Sequence, residues 1–548
     1  MNSKHDRVLL RGAIPIALLL SLLVLLIAPV NGREENDASN SREPAQADPR
    51  QDALERLQAD SGGQANVSHN SATGVASFVR LPHDGGLALT AGLSAEAEAR
   101  AFLAAYGAAF GVQDPDRQLQ LVDERRNLAG HTQLSYKQVH EGVDVFAGML
   151  RVQLDGSNRV VSANGAFVPG IKVDTTPSLT AETAMTRAVA HVQQQMDVEN
   201  ASTELAALNT HLYLFREGLV QRIAGDVRLV YEVEVANSDV TVREFVYVDA
   251  HNGAIVEQIT GIYTDLDRKV SEETLSNVIW EDSEGDPDPI TAGWEGGSAQ
   301  DVADWQDEID GAKESYNLFA SMAGRDSYDG AGATMRTVNN DPNINCPNAN
   351  WNGTSTNYCT GVTSDDVVAH EWGHAYTQFT NDLIYQWQSG ALNESYSDIW
   401  GETVDQLNGR GTDAPDNPRT AGSCSIYGAG MPSTDDSYRW LMGEDATAFP
   451  TAIRDMWNPT CNGDPGKVSD TSFYECTTAD SGGVHINSGI PNHAFALLVD
   501  GGTYNGQTVT GIGLTKAAYI HWEAQNMLTA SSNFVDHADA LEAACTML

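Results

Sequence analysis

The chain has 548 residues, 41% of them hydrophobic, which suits several folded units and excludes a globally disordered protein. Its 75 acidic against 32 basic residues give a formal net charge of -43, and a field of that sign repels phosphate backbones and anionic lipid, which argues against nucleic-acid binding. The acid excess reads as solubility or life in salty water, with the second reading that some carboxylates hold divalent cations.

Lys4, Arg7 and Arg11 precede an apolar run from Ala13 to Val30, and small residues follow. This is the layout of a secretory signal peptide over 1–32, cut after Gly32. A membrane anchor is the alternative, because the run approaches spanning length, but no stop-transfer charge cluster follows it. Residues 33–75 are rich in Glu, Asp, Gln, Asn and Ser, and are expected to be a disordered linker. From Ala76 to about Ile262 the pattern is α+β. Ala95 to Phe110 has helical apolar spacing, and Val145 to Leu154 alternates before an Asp155-Gly156 turn. Arg228–Val235 and Glu244–Asp249 read as a strand pair that ends at His251-Asn252-Gly253. A polar stretch from Tyr263 to Glu273 follows. Beyond about 275 the chain is strand- and loop-like, and after Asp366 it is mostly helical. All six cysteines lie in the second half, as expected of a disulfide-bearing exported part. The short-loop pairings are Cys346–Cys359 and Cys461–Cys476, which leaves Cys424–Cys545.

The chemistry-bearing residues begin at His370-Glu371-Trp372-Gly373-His374. Residues four apart share a helical face, so His370 and His374 can reach one ion, and neutral imidazoles are good zinc ligands. Glu371 sits one step round the helix, where it faces water beside the ion rather than the ion itself. By itself this pattern also fits two ordinary helical histidines. Further on stands Gly390-Ala391-Leu392-Asn393-Glu394, and Asp398 follows one turn after Glu394. A carboxylate near a core needs a partner, and His, His and Glu form a three-ligand catalytic zinc set with a position left open. Asp398 is placed to accept from the free ring nitrogen of a ligand histidine. In Asp480-Ser481-Gly482-Gly483-Val484-His485 the glycine pair permits tight turns beside a cleft. His485 there is placed to donate to an oxyanion, with Asp480 keeping it charged or oriented.

These segments stand in order together with Leu383-Ile384-Tyr385 and Gly482–Gly489, and jointly they resemble the thermolysin family of neutral metalloproteases. The resemblance implies a β-rich N-terminal catalytic lobe (264–375, including the zinc helix) and a mainly α-helical C-terminal lobe (376–548). It implies α+β propeptide domains ahead of them: a first module over 76–165, carried by Tyr136–Phe146, and a PepSY-like module over 166–263. The product would be a secreted zinc endopeptidase, made as a zymogen whose propeptide assists folding and blocks the cleft until a cut near Tyr263 to Arg268. Cleavage is expected on the amino side of bulky apolar residues, by attack of water. Zinc is assigned to His370, His374 and Glu394, and proton transfer to Glu371. Tyr385 and His485 would hold the oxyanion, and Arg454, in Ile453–Pro459, would hold a substrate carbonyl. Asn348, Ala349 and Trp351 would bind substrate as an added strand, and Val367 and Ile453 would line the pocket. Asp366, Asp405 and Glu444 fall at positions resembling the family's calcium ligands. Arg439 and Leu441 replace acidic residues there, so one calcium rather than two is expected. Protein substrates and the propeptide are the expected partners of a monomeric mature enzyme, with no nucleic acid and no membrane. A protease-like binding or inhibitory module and a zinc aminopeptidase are the rival readings.

Overall fold

The computed structural model describes residues 48–548, apart from 83–85, 91, 128–129, 196–204, 221, 238–241, 261–267, 283–284, 412–418 and 420–436. The signal-peptide reading, Cys424 and most of the expected maturation segment therefore lie outside the described residues. The remainder forms one compact unit from Asp48 to Leu548.

The N-terminal half is ordered earlier than its composition suggests. Residues 48–75, expected to be linker, hold helix α1 (Pro49–Asp60), capped by the Asp48 side chain, and strand β1 (Asn66–His69). Their few apolar residues are well spent. Ala53 and Leu57 are fully buried on one face of α1 and join Phe102 and Tyr136 in a single core. Strand β2 (Ala76–Arg80) pairs with β1, and helix α2 (Ala95–Tyr106) takes the expected helical segment, capped by Ser94. After a short turn of helix, α3 (Pro115–Gln118), come strands β3 (Leu119–Arg126), β4 (Thr132–His140), β5 (Val143–Leu154) and β6 (Val160–Ala166). Helix α4 (Ala181–Gln195) then precedes strands β7 (Leu205–Arg216), β8 (Val227–Asn237), β9 (Arg243–Asp249) and β10 (Ile255–Thr260).

These strands make one sheet in the order β1-β2-β6-β5-β7-β8-β9-β10, with β3 and β4 added beside β5. The two modules read from sequence are thus joined through β5, which pairs with β4 and β6 and runs parallel to β7 at Asp144–Tyr213. Each module keeps its own core, one around Phe102 and Leu150 and one around Val233 and Val246. The alternation along β5 has a consequence. Leu150, Val152 and Leu154 face the first core, while Arg151 and Gln153 point the other way, beside Ser162 and Asn164 of β6. Those four polar side chains are buried as well, so the polar face of the sheet is covered rather than solvated.

It is covered by the C-terminal half. Strands β11 (Lys269–Glu272) and β12 (Val278–Glu281) pair, and then comes the long helix α5 (Ala299–Ala323) with a capping box at Ser298 and Asp301. Strands β13 (Arg336–Asn339), β14 (Ala349–Trp351) and β15 (Thr356–Tyr358) complete a five-stranded sheet in which β14 lies at the edge. Helices α6 (Asp365–Gln378) and α7 (Trp387–Asn408) pack together. The short strands β16 (Leu441–Met442) and β17 (Arg454–Asp455) follow, then helices α8 (Asp480–Asn487), α9 (Gly489–Asp500), α10 (Leu514–Met527) and α11 (Phe534–Met547). The architecture is α+β, with a strand-bearing lobe before α6 and a mainly helical lobe after it. Trp372, Tyr376, Trp400 and Phe495 lie in one continuous core.

The expected disulfide Cys346–Cys359 is present and ties the approach to edge strand β14 to the end of β15. The other two expected pairs are not made. Cys461 is disulfide-bonded, but Cys476 and Cys545 are free and exposed. Short loop length misled the reading, because the distance between two cysteines in space, not along the chain, decides pairing.

Candidate active site

Helix α6 is buried along almost its whole length, and it carries His370 and His374 on the face turned to α7. Gly373 makes the close crossing possible, since a Cβ there would stand 2.7 Å from the Ser397 Cα. Across the crossing, Glu394 places its oxygens 3.7 Å from His370 Nε2 and 3.4 Å from His374 Nε2. The two Nε2 atoms are 3.1 Å apart.

The other ring nitrogens are fixed. His370 Nδ1 donates to Asp398 at 2.8 Å and His374 Nδ1 to the Asn393 side-chain oxygen at 2.8 Å, so when both rings are neutral, as metal ligands are, both Nε2 atoms carry lone pairs. Two lone pairs at that distance repel each other, and Glu394 Oε2 is buried with no hydrogen-bond partner. A cation between these atoms would relieve both. Among the described residues, His370, His374 and Glu394 are the one group of three whose donor atoms converge within 4.8 Å. The donor set of two imidazoles and a carboxylate suits zinc.

Charge around the trio is strongly arranged. Burial works against ionisation of Glu394, but His485, His374, His370 and Arg454 outweigh it and hold its pKa down to about 2. Burial pushes His374 down to about 4, which keeps it neutral. Glu371 also points into the site. Burial pushes it up to about 7, and its Oε2 has no hydrogen-bond partner. Asp398 is fully buried, yet Arg454 at 2.6 Å and His370 keep it ionised well below the usual carboxylate range.

The opposite wall comes from α8. Asp480, Ser481, Gly482 and Gly483 all have positive φ, and a Cβ on Gly482 would stand 2.5 Å from the Trp387 ring. This turn holds His485 by two bonds to Asp480, which accepts from its main-chain N–H at 2.9 Å and from Nδ1 at 2.6 Å. Desolvation disfavours the imidazolium, but Glu394 and Asp480 outweigh it and raise His485 to about 9. Tyr385 completes the wall. Its hydroxyl lies 3.1 Å from His485 Nε2 and donates to Glu394.

The trio, Glu371, Tyr385 and His485 thus line one cleft of about 260 Å³, floored on one side by Asn348, Ala349, Asn350 and Trp351. Asp480, Asp398 and Arg454 stand behind it. Val367 and Ile453 do not line this cleft; Val367 is buried in the main core and Ile453 packs on its edge. Asp366, Asp405 and Glu444 are each buried, but they do not form a converging metal group among the described residues. Asp366 accepts from Ser364 at 2.5 Å, from the Val367 N–H at 2.7 Å and from the Gly443 N–H. Arg439 lies over the Trp440 ring and pairs with Asp500 at 2.8 Å.

Two residues at the site escaped the sequence reading. Asn393 orients His374 while its own amide donates to the Leu383 carbonyl at 2.9 Å. Asn492 on α9 donates to Asp398 at 2.7 Å. The first had a signal, since it directly precedes Glu394; the second had none.

Comparison with known proteins gives the same lineage. Residues 288–378 match the thermolysin metallopeptidase catalytic domain, 381–548 its alpha-helical domain, and 117–167 the fungalysin/thermolysin propeptide motif. A zinc metalloproteinase of Renibacterium salmoninarum is 30% identical over 441 residues, spanning 74% of this chain and 75% of that protein. The chain belongs to the thermolysin family. Other thermolysin-family relatives include a bacillolysin of Brevibacillus brevis, 28% identical across 79% of this chain and 82% of its own. A thermolysin of Alicyclobacillus acidocaldarius subsp. acidocaldarius is 28% identical across 78% and 81%. The chain is a metalloendopeptidase of this family, with a propeptide motif ahead of its catalytic lobes.

Proposed function

We propose that this chain is a secreted zinc endopeptidase, made as a zymogen, that cuts proteins on the amino side of bulky apolar residues. The observation that carries this reading is the convergence of His370 Nε2, His374 Nε2 and Glu394 on one point, with Glu371 beside them and His485 and Tyr385 opposite. His370, His374 and Glu394 would hold the zinc, which when bound supplies Lewis acidity and activation of water near neutral pH.

The chain's own residues account for the remaining steps. Glu371 is a buried carboxyl poised near neutrality, suited to take a proton from the attacking water and pass it to the leaving amine. His485 and Tyr385 present donors from the opposite wall to the oxygen that gains negative charge. Asp480 fixes the ring and charge of His485. Arg454, tied to Asp398 behind the cleft, is the guanidinium that the family resemblance assigns to a substrate carbonyl. Edge strand β14 offers Asn348, Ala349 and Trp351 to an extended peptide. Preference for apolar side chains would come from Val367 and Ile453 only if substrate opens a path towards them.

The localisation reading rests on the signal-like N-terminus and on the family. Among the described residues no helix is long and apolar enough to cross a membrane. Structural calcium at Asp366, Asp405 and Glu444 stays a proposal that rests on the family resemblance; each of the three carboxylates is buried. A rise in melting temperature on adding calcium to chelator-treated enzyme would support it, and no rise would remove it.

The decisive test is Glu371→Gln in the full-length chain, assayed on casein and on a peptide blocked at both ends. Activity should fall to background while zinc content stays at one per chain. Cleavage at the wild-type rate would overturn the proton-transfer role, and activity confined to unblocked peptides would point to an aminopeptidase.

A further inference from the structure

Arg151 lies on the buried polar face of the N-terminal sheet and is 6% exposed. Its Nη1 donates to the main-chain carbonyls of Asn526, at 2.7 Å, and Leu528, and its Nη2 donates to that of Thr380 at 3.1 Å. Asn164, its direct cross-strand partner, donates to the Met527 carbonyl at 2.7 Å. Two side chains from β5 and β6 therefore take three successive carbonyls at the end of α10, and Arg151 also takes the one just past the end of α6.

The chemistry of these acceptors is specific. The last carbonyls of a helix have no partner within it, and the helix dipole leaves that end negative. Every side-chain hydrogen bond of Arg151 goes to a carbonyl at or within two residues of a helix end. Burial lowers its pKa to about 9 and Arg125 adds to the effect, while the Asp123 and Asp382 carboxylates oppose it; the carbonyls at two helix ends also favour the charge. A planar guanidinium can serve three carbonyls at once, whereas an ammonium, a single point of charge, cannot span them.

We propose that Arg151 is a folding clamp: a guanidinium of the N-terminal segment that holds the C-terminal ends of α6 and α10 together and so fixes the metal-ligand helix against the C-terminal helices. The catalytic half has its own link between these two helix ends. Asn381 donates to the Gln525 carbonyl at 2.9 Å, and Gln525 donates to Thr377 Oγ1 at 2.8 Å. Arg151 adds to that join from outside and leaves with the N-terminal segment when the chain is cut. The inference rests on the reading of this segment as a propeptide, which N-terminal sequencing of the secreted product tests separately.

The experiment uses the full-length Glu371→Gln chain carrying Arg151→Lys or Arg151→Gln, followed by amide hydrogen exchange. Exchange should quicken about tenfold or more in peptides covering 376–382 and 523–530, with β4, β5 and β6 unchanged. Lysine should fail to rescue. Unchanged exchange in those two peptides would overturn the proposal, as would equal loosening throughout the sheet, which would make Arg151 a support of its own module. Should neither variant fold, refolding of Arg151→Ala with ethylguanidinium decides. Recovery that ethylammonium does not reproduce supports the clamp, and no recovery overturns it.

Discussion

Asp398 is the most heavily used side chain at the site: it orients His370, anchors Arg454 and receives Asn492. Replacing it with Asn keeps the shape but removes the charge that favours His370 as a ligand and leaves Arg454 buried without its counter-ion. Zinc affinity should fall roughly 10- to 100-fold in Asp398→Asn, as is usual for the loss of such a partner, which a competition titration against a chromogenic chelator measures. His485→Ala should act differently, because His485 reaches the ligand trio only at Glu394 Oε1, at 3.4 Å, and orients neither ligand histidine. Its loss should cost on the order of 3 kcal/mol of transition-state binding, seen in kcat with KM little changed. His370, His374, Glu394 and Asp398 were legible because helical spacing fixes which side chains share a face, whereas Glu371 and His485 took their roles from the motif order that resembles the family. Asn492 was not legible. It reaches Asp398 from a helix far along the chain, and nothing local to it announces that contact.

The elements carry a second lesson about spacing. The α6–α7 crossing works because Gly373 lets the two backbones approach, and its other neighbours there are Ser397 Oγ and Cβ. Gly373→Ala forces a methyl into backbone at 2.7 Å, where no flexible side chain can give way. A destabilisation of about 1–3 kcal/mol is expected, with the histidines drawn away from Glu394. Urea unfolding together with zinc content checks this: a lower midpoint with normal zinc would mean that the crossing relaxes without moving the ligands. The sequence revealed α2 by its apolar spacing and β5 by its alternation, and α6 and α7 by the four-residue spacing of His370, His374, Glu394 and Asp398. It misplaced α1 and β1 because polar composition was read as disorder, while two apolar residues one turn apart, Ala53 and Leu57, were enough to dock the helix. It misread the Cys461 pairing because a short loop constrains chain length but not direction.

At the scale of the whole molecule, the sequence separated the N-terminal modules from the catalytic lobes but could not say which faces meet. The face of β5 and β6 that looks solvent-exposed by alternation is the one that docks, and its partners are main-chain carbonyls, which leave no trace in a sequence. The C-terminal helices on which it docks hold a buried group of their own. His521 donates from Nδ1 to the Ala517 carbonyl at 2.9 Å, its Nε2 has no partner, and its ring lies among Tyr396, Phe495 and His537. Burial pushes His521 down to about 4 and pushes His537 well below the usual range, with His521 adding to the effect. The folded state thus holds both rings neutral, while the unfolded chain protonates them near pH 6.5. Between those values the unfolded chain binds more protons, so stability is complete above about pH 6.5 and drains away as pH falls towards 4. For His521 alone the loss at pH 5 is about 2 kcal/mol. His521→Leu in the Glu371→Gln chain keeps an apolar ring of neighbours and removes the titrating group. Its urea midpoint should drop less than that of the parent between pH 7 and pH 5, and an equal drop in both would place the acid sensitivity elsewhere. The same packing that gives α10 and α11 a firm surface for the N-terminal sheet would then make that surface the first to yield in acid.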